Sequence, residues 1–320
     1  MEFEVVWDSL GKEGDDSEDG AGRAGGWRRN LKGEAAFSSF VPAPLQDVQV
    51  RYDGVLASRL SRAEFALGRL TGLFESLDAE QREAAVGKLR RLEAEASWDL
   101  SAGRIRPAIT AFQVFGGDGR NVNERDELDI AEIGHLEEAV AYAVAPFDGL
   151  PLSRRLLTRA HFLMTQGPRY EKKYPGEVRR SPTWLGRPES TLSTASFVFP
   201  MQEDMDEALA QLERYIHDDT REPELVRVAL AHYQFEVIHP FIDGNGRIGR
   251  LLSQLMLIEA GQLPADILLL SAALKDRAEE YYTALERVER FGAYEEWIGF
   301  FAIIVADAAE RSSRELGDRA

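Results

Sequence analysis

The chain has 320 residues, of which 44% are hydrophobic, and its 38 basic and 55 acidic side chains give a net charge of −17. This length and composition can support a sizeable core and about two domains. The absence of cysteine excludes disulfides and thiolate metal sites, and the negative field disfavours phosphate backbones, so we expect no nucleic-acid partner.

The N-terminal segment is predicted to be flexible. Residues 1–36 are rich in glycine and acidic residues and have few apolar anchors, so we expect a tail there. Residues 1–4 lack a basic, apolar leader, and the longest apolar stretch, 298–309, is too short to span a bilayer. These features favour a cytoplasmic protein that has no membrane partner.

Hydrophobic spacing predicts helices through most of the remaining chain. Apolar residues recur at three to five positions between 46 and 113, and the pattern continues between 120 and 310. The segment 178–199 instead has the composition of strands and turns. On pattern alone it is a surface hairpin, but an exposed strand edge can also receive an extended peptide. We therefore predict a mainly α fold with one small β interruption.

Residues 239–250 read His-Pro-Phe-Ile-Asp-Gly-Asn-Gly-Arg-Ile-Gly-Arg. The apolar pattern predicts a helix that the His239-Pro240 step ends and a second helix that begins near Arg247. A loop that leads into a helix N-terminus is an anion site because its backbone amides are unpaired. The alternative is a solvated turn with His239 as a structural cap, which gives no role to two arginines on one helical face.

The residue types of this loop suit a nucleoside triphosphate. His239 is the titrating base suited to neutral pH, and Asp243 is a hard oxygen ligand for Mg²⁺. Phosphate oxygens can be bound by the flexible backbone amides of Gly244, Asn245 and Gly246. The guanidiniums of Arg247 and Arg250 can bind further phosphate oxygens.

These twelve residues resemble the signature of the Fic family, H-x-F-x-D/E-G-N-G-R-x-x-R, at every specified position. Residues 37–76 are similar to the N-terminal helical region that commonly precedes Fic cores, and residues 174–200 to the β-hairpin flap of the family. The resemblance implies a mainly α, Fic-type helical bundle with a small β-hairpin flap. It places an N-terminal helical region at 37–118, a core domain at 119–310 and a C-terminal tail at 311–320.

The resemblance also implies a function. Such proteins are adenylyltransferases, which transfer AMP from ATP to a Ser, Thr or Tyr hydroxyl of a target protein and release pyrophosphate. The implied metal is Mg²⁺ or Mn²⁺, ATP is the co-substrate, and the target docks at the flap near 179–199; homodimer formation is left open. The resemblance implies that His239 is the base and that Asp243 is the metal ligand. It implies that Asn245 contacts the α-phosphate and that Arg247 and Arg250 contact the β- and γ-phosphates. Phe241 would anchor the loop, and Tyr281 and Tyr282 would form walls of the base pocket.

The residue types alone leave open whether Tyr281 and Tyr282 form walls of a base pocket. One can be a core residue and the other a partly exposed residue of an amphipathic helix. This interpretation is nearly as well supported as a base pocket.

The segment 93–103 departs from the regulatory motif of related Fic proteins, S/T-x-x-x-E-G/N. In those relatives the glutamate pairs with the second motif arginine and blocks the γ-phosphate. Counted from Ser97, Ser101 stands where glutamate is expected and Ala102 where glycine is expected. We therefore expect Arg250 to be free, and the protein to be active by default or restrained by another element.

Two other functions stay open at this point. The chain could be a non-catalytic nucleotide sensor or a Fic enzyme that removes AMP. A retained His239 argues against a sensor, which has no use for a base, and the lost glutamate argues against AMP removal.

Overall fold

The computed structural model describes residues 22–101, 124–145, 151–186, 189–218 and 222–317. Within these ranges the chain is mainly helical with two small two-stranded sheets, which confirms the predicted class. The helices are α1 (Gly54–Glu75), α2 (Ala79–Ser101), α3 (Glu124–Val144), α4 (Arg154–Met164), α5 (Gln202–His217), α6 (Glu224–Ile238), α7 (Asn245–Glu259), α8 (Leu270–Asp276), α9 (Ala278–Phe291) and α10 (Tyr294–Gly317).

The N-terminal segment forms a β-hairpin, so the predicted flexible tail is wrong over residues 22–36. Strand β1 (Gly25–Asn30) pairs antiparallel with β2 (Phe37–Pro42). Trp27 lies opposite Phe40, and their rings pack edge-on at 5.4 Å. Gly25 is needed for close approach, because a Cβ there would lie 2.2 Å from the Val41 carbonyl oxygen. The glycine thus marks a tight strand contact, and the aromatic pair supplies the anchor.

Helix α1 packs along α10, so the N-terminal region shares its core with the C-terminal part of the chain. Asp53 caps α1 by accepting a hydrogen bond from the Leu56 amide at 2.7 Å. Helix α10 continues to Gly317, so the predicted C-terminal tail is wrong over 311–317. The reason is packing: the buried Ser312 hydroxyl accepts a hydrogen bond from the Leu269 amide at 2.9 Å.

Helix α6 lies at the centre of the core. Almost all of its residues are buried, which is the pattern of a helix enclosed on every side. The buried Trp297 indole donates to the Ala229 carbonyl at 2.7 Å and ties α10 to α6. Helix α7 packs directly against α6. The loop between these two helices carries the motif.

The second sheet falls inside the predicted β interruption. Strand β3 (Trp184–Leu185) pairs antiparallel with β4 (Phe197–Val198). Phe197 also packs on Trp27 at 5.4 Å, so the N-terminal hairpin supports this flap from one side. Among the described helices, none is long and apolar enough to cross a membrane.

Candidate active site

The motif loop is shaped by two residues in the left-handed region. His239, at the end of α6, has φ 50°, and its amide donates to the Phe235 carbonyl at 3.0 Å. Pro240 follows and prevents the helix from continuing. Gly244 has φ 85°, a conformation that other residues rarely adopt, and a Cβ there would lie 2.5 Å from Met164 Cε. The predicted helix end at His239–Pro240 and the loop into a helix N-terminus are both confirmed.

The His239 imidazole is held in one orientation and one tautomer. It is half-buried and stacks on Phe199 with ring centroids 3.9 Å apart. Nδ1 lies 3.3 Å from the Glu236 carbonyl oxygen, which can only accept, so Nδ1 carries the proton and Nε2 keeps its lone pair. Burial, together with the nearby positive charge of Arg179, lowers the pKa of His239 to about 3. The ring is therefore a neutral base at pH 7.

Arg179 sets the position of this base. Its guanidinium is 2% exposed and donates from Nε to the His239 carbonyl at 2.7 Å. Further bonds reach the carbonyls of Pro200 at 2.8 Å and Ser181 at 3.1 Å. Burial lowers its pKa to about 10, so it remains a cation at pH 7. The sequence predicted a surface hairpin or flap at 178–199 and did not predict that Arg179 is buried, because a buried arginine in a hairpin has no characteristic spacing.

Phe241 is buried beneath the motif loop. It is 1% exposed and stacks face to face on His161, with centroids 3.8 Å apart. His161 Nδ1 accepts from the Gly176 amide at 2.9 Å, so its Nε2–H donates to the Asp243 carbonyl, also at 2.9 Å. Burial lowers the pKa of His161 to about 4 and keeps the ring neutral. His161 lies outside the motif, and the sequence did not identify it.

The Asn245 side chain bonds to the backbone of Phe241. Its amide oxygen accepts from the Phe241 amide at 2.8 Å, and its amide nitrogen donates to the Phe241 carbonyl at 2.8 Å. The side chain is 2% exposed. Both polar groups thus help to fix the turn, while the amide nitrogen keeps a second N–H that these two bonds do not use.

Asp243 is the one carboxylate among residues 239–250. Lys173 Nζ contacts its Oδ2, and Arg247 Nη2 lies 3.3 Å from its Oδ1. Burial alone would raise the pKa of Asp243, but Arg247 and Lys173 outweigh it and hold the pKa below its ordinary value. Among the described residues no group of three or more acidic, His or Cys side chains could hold a metal. Asp243 is the residue of the motif loop that could hold Mg²⁺, because a single carboxylate together with phosphate oxygens is a usual setting for that ion.

The two motif arginines have different surroundings. Arg247 is 2% exposed, donates to the Tyr170 hydroxyl at 2.9 Å and lies between the rings of Tyr170 and Trp98. Arg250 donates through Nη2 to Ser97 Oγ at 2.9 Å and to Ser101 Oγ at 2.8 Å. The expectation of a free Arg250 is thus wrong, because the two serines occupy it in place of a glutamate. Ala102 lies outside the described residues.

A cavity of about 160 Å³ lies beside the loop. It is smaller than the roughly 300–1,000 Å³ of most ligand sites, and Ser101 of α2 forms part of its wall. Arg247 and Phe241 do not line it. The lining residues are Ser101, Glu236, His239, Ile242, Asp243, Gly244, Asn245, Gly246, Arg250, Tyr281 and Tyr282.

Both predicted tyrosines line this cavity, and both are buried. The Tyr281 hydroxyl lies 2.9 Å from His232 Nε2. His232 Nδ1 lies 2.9 Å from Ser253 Oγ, whose proton goes to the Gly249 carbonyl, so Nδ1 is the donor and Nε2 accepts from Tyr281. Tyr281 is therefore a core residue that also lines the cavity.

Comparisons with known proteins agree with this site. Residues 151–257, which include the whole motif, match the model of the Fic/DOC family. The chain is 28% identical over 284 residues to Protein adenylyltransferase Fic of Drosophila melanogaster, covering 80% of this chain and 50% of that protein. For the Drosophila yakuba protein of the same name, identity is 30% over 207 residues, with 61% and 34% covered. The chain thus spans about half or less of the length of these relatives.

Solved structures show the same fold. A Fic family protein from Desulfovibrio desulfuricans superposes with a TM-score of 0.65 at 22% identity, covering 83% of this chain and 76% of the other. Fic-1 from Caenorhabditis elegans gives a TM-score of 0.61 at 15% identity, covering 82% and 74%. Together with the motif geometry, these matches show that the chain contains a domain of the Fic/DOC family, at residues 151–257.

Proposed function

We propose that this chain is a protein adenylyltransferase, which transfers AMP from ATP to a Ser, Thr or Tyr hydroxyl of a target protein and releases pyrophosphate. The observation that carries the proposal is the neutral His239 imidazole, whose Nε2 has a free lone pair at the wall of the motif cavity. The curated relatives at 28–30% identity are named protein adenylyltransferases, which supports the same chemistry.

The proposed step needs one base. His239 Nε2 takes the proton of the attacking hydroxyl while the hydroxyl oxygen bonds to the α-phosphorus of ATP. The bond from the α-phosphorus to the bridging oxygen breaks, and pyrophosphate leaves with that electron pair. Arg179 and Phe199 fix the ring during this transfer, because they hold the His239 main chain and imidazole face. A positioned base contributes roughly 10²- to 10⁴-fold in rate.

The triphosphate is proposed to bind at the start of α7. Backbone amides of Gly244, Asn245 and Gly246 lie at the positive end of this helix, where anions are stabilised. Asp243 would hold Mg²⁺, which neutralises the charge that develops on the phosphates. Arg250 lines the cavity and would bind the terminal phosphates after releasing Ser97 and Ser101. Arg247 would act indirectly, by orienting Asp243.

The target is proposed to dock at the flap, near 179–199. Trp184 is 40% exposed on β3, and an exposed strand edge binds extended backbone with little dependence on sequence. Arg179 bonds to the carbonyls of both Pro200 and His239 and so joins the flap to the base. A hydroxyl presented along the flap would therefore lie at a fixed position relative to His239.

The test is incubation of the purified protein with labelled ATP, CTP, GTP or UTP and Mg²⁺, followed by mass spectrometry of all protein present. The proposal predicts an AMP adduct on a hydroxyl side chain, which chelation of Mg²⁺ abolishes. Nucleotide binding without any covalent adduct, with candidate targets supplied in cell lysate, would favour a sensor instead.

A further inference from the structure

The last turn of α6 carries a buried acid that the proposed reaction does not use. Glu236 is 7% exposed, and its Oε1 has no hydrogen-bond partner among the described residues. A buried carboxylate without a partner is costly, and a role in ligand binding or catalysis is one explanation for retaining it. Glu236 also lines the cavity beside the motif loop. Glu236 is therefore a wall residue of the cavity in which the phosphates are proposed to bind.

Two glycines of α7 locate this carboxyl group. A Cβ at Gly249 would lie 2.6 Å from Glu236 Oε1, and one at Gly246 would lie 3.8 Å from it. The same Gly246 Cβ would lie 3.0 Å from Arg250 Nη1. Glu236 Oε1 and Arg250 Nη1 thus flank one glycine face of the first turn of α7. No ion pair joins the two within 4.0 Å, so the guanidinium does not neutralise the acid by contact.

The other charged and titratable groups around Glu236 leave it without a close cation. On α6, His232 Nε2 lies 3.9 Å from Oε1, but burial lowers the pKa of His232 to about 3 and the ring is neutral at pH 7. On α9, Tyr281 donates its proton to His232. His239 and Asp243 share the cavity wall. Burial therefore dominates and raises the pKa of Glu236 to about 7, although Arg250 opposes this shift.

We propose that Glu236 binds a phosphate oxygen of the nucleotide as a neutral carboxylic acid that donates its O–H, and that its ionised form opposes nucleotide binding. Only the protonated carboxyl group has a donor, and a carboxylate facing a phosphate without an intervening cation is repulsive. Glu236 and Arg250 would then both bind phosphate oxygens, one on each side of Gly246. This inference rests on the proposed function, since it assumes that the cavity receives a nucleotide.

The experiment measures the dissociation constant of a non-hydrolysable ATP analogue with Mg²⁺ by calorimetry from about pH 5.5 to about pH 8.5. This range covers the titration of a group whose pKa is near 7. The wild type is compared with Glu236→Gln, which keeps a donor but cannot ionise. The titration of the ligand itself is common to both proteins, so their difference isolates Glu236. Above the pKa of Glu236, wild-type affinity is expected to fall by up to about tenfold per pH unit relative to the variant.

The matched control is Glu286→Gln. Glu286 is also buried, burial also raises its pKa, and it lies 2.9 Å from Arg290 on α9 outside the cavity lining. This control should keep the wild-type pH profile. Equal pH profiles for wild type and Glu236→Gln, or weaker binding by the variant at every pH, would overturn the inference while leaving AMP transfer intact. Loss of nucleotide binding in all three proteins at every pH would refute the proposed function as well.

A second readout uses wild-type protein alone and does not depend on the folding of the variant. The carboxyl ¹³C resonance of Glu236, assigned with selectively labelled glutamate, is titrated with and without the analogue. Binding of the neutral acid predicts a higher pKa in the complex. A lower or unchanged pKa in the complex would contradict it.

Discussion

Removal of the Arg179 guanidinium tests whether this residue positions the base. Arg179→Met keeps an unbranched side chain but leaves the carbonyls of Ile238, His239 and Pro200 without the guanidinium donor. Each buried, unsatisfied carbonyl costs about 1–3 kcal/mol, and loss of the buried cation recovers several kcal/mol of desolvation. We therefore expect the free energy of unfolding to fall by about 2–4 kcal/mol, which a domain with typical stability survives.

The effect on turnover should exceed the effect on nucleotide binding. Arg179 does not line the cavity, so nucleotide affinity should stay within about threefold of wild type, whereas a displaced His239 should lower the transfer rate by about 10²-fold. Urea unfolding and the transfer rate at saturating nucleotide give the two quantities. Arg180→Met is the matched control, since Arg180 is the exposed neighbour. If both variants match wild type in stability and rate, Arg179 does not position the base.

Three further predictions concern metal, regulation and pH. Asp243→Asn should weaken ATP binding about tenfold with Mg²⁺ and make affinity equal with and without chelator in calorimetry. Ser101→Glu places a carboxylate at Arg250 and should lower auto-modification on mass spectra, while Ser101→Ala should not. Because the pKa of His239 is lowered to about 3, its base form persists below pH 6, so the rate at saturating nucleotide should not fall between about pH 7 and about pH 5.

A chelator-sensitive Asp243→Asn variant would assign the metal elsewhere. Undiminished auto-modification by Ser101→Glu would show that Arg250 is dispensable for ATP. A rate that falls with a midpoint near pH 6.5, the ordinary value for histidine, would mean that His239 is more solvated than its packing on Phe199 indicates.

The sequence predicted what local rules determine. Pro240 ends α6 and the Gly-Asn-Gly turn begins α7, so the loop, its helix N-terminus and the position of His239 followed from twelve residues. The helical class followed from apolar spacing. These features depend on neighbours in the chain, which a single sequence displays directly.

The features that the sequence missed depend on contacts between distant segments. Arg179 and His161 reach the loop from 60 and 82 residues away, and Ser97 and Ser101 reach Arg250 from 153 and 149 residues away. The N-terminal hairpin also depends on a distant partner, because Trp27 and Phe40 pack on Phe197. A glycine-rich, acidic stretch predicted disorder when that partner was not visible.

Measuring AMP transfer and nucleotide affinity on the same preparations of His239→Ala and wild type shows directly whether His239 is the base. We expect transfer to fall by about 10²- to 10⁴-fold while the dissociation constant of the nucleotide stays within about threefold, because the phosphate contacts lie elsewhere in the loop. His217→Ala, an exposed histidine at the end of α5, should leave both unchanged. Transfer by His239→Ala within a few fold of wild type would contradict the assignment of His239 as the base.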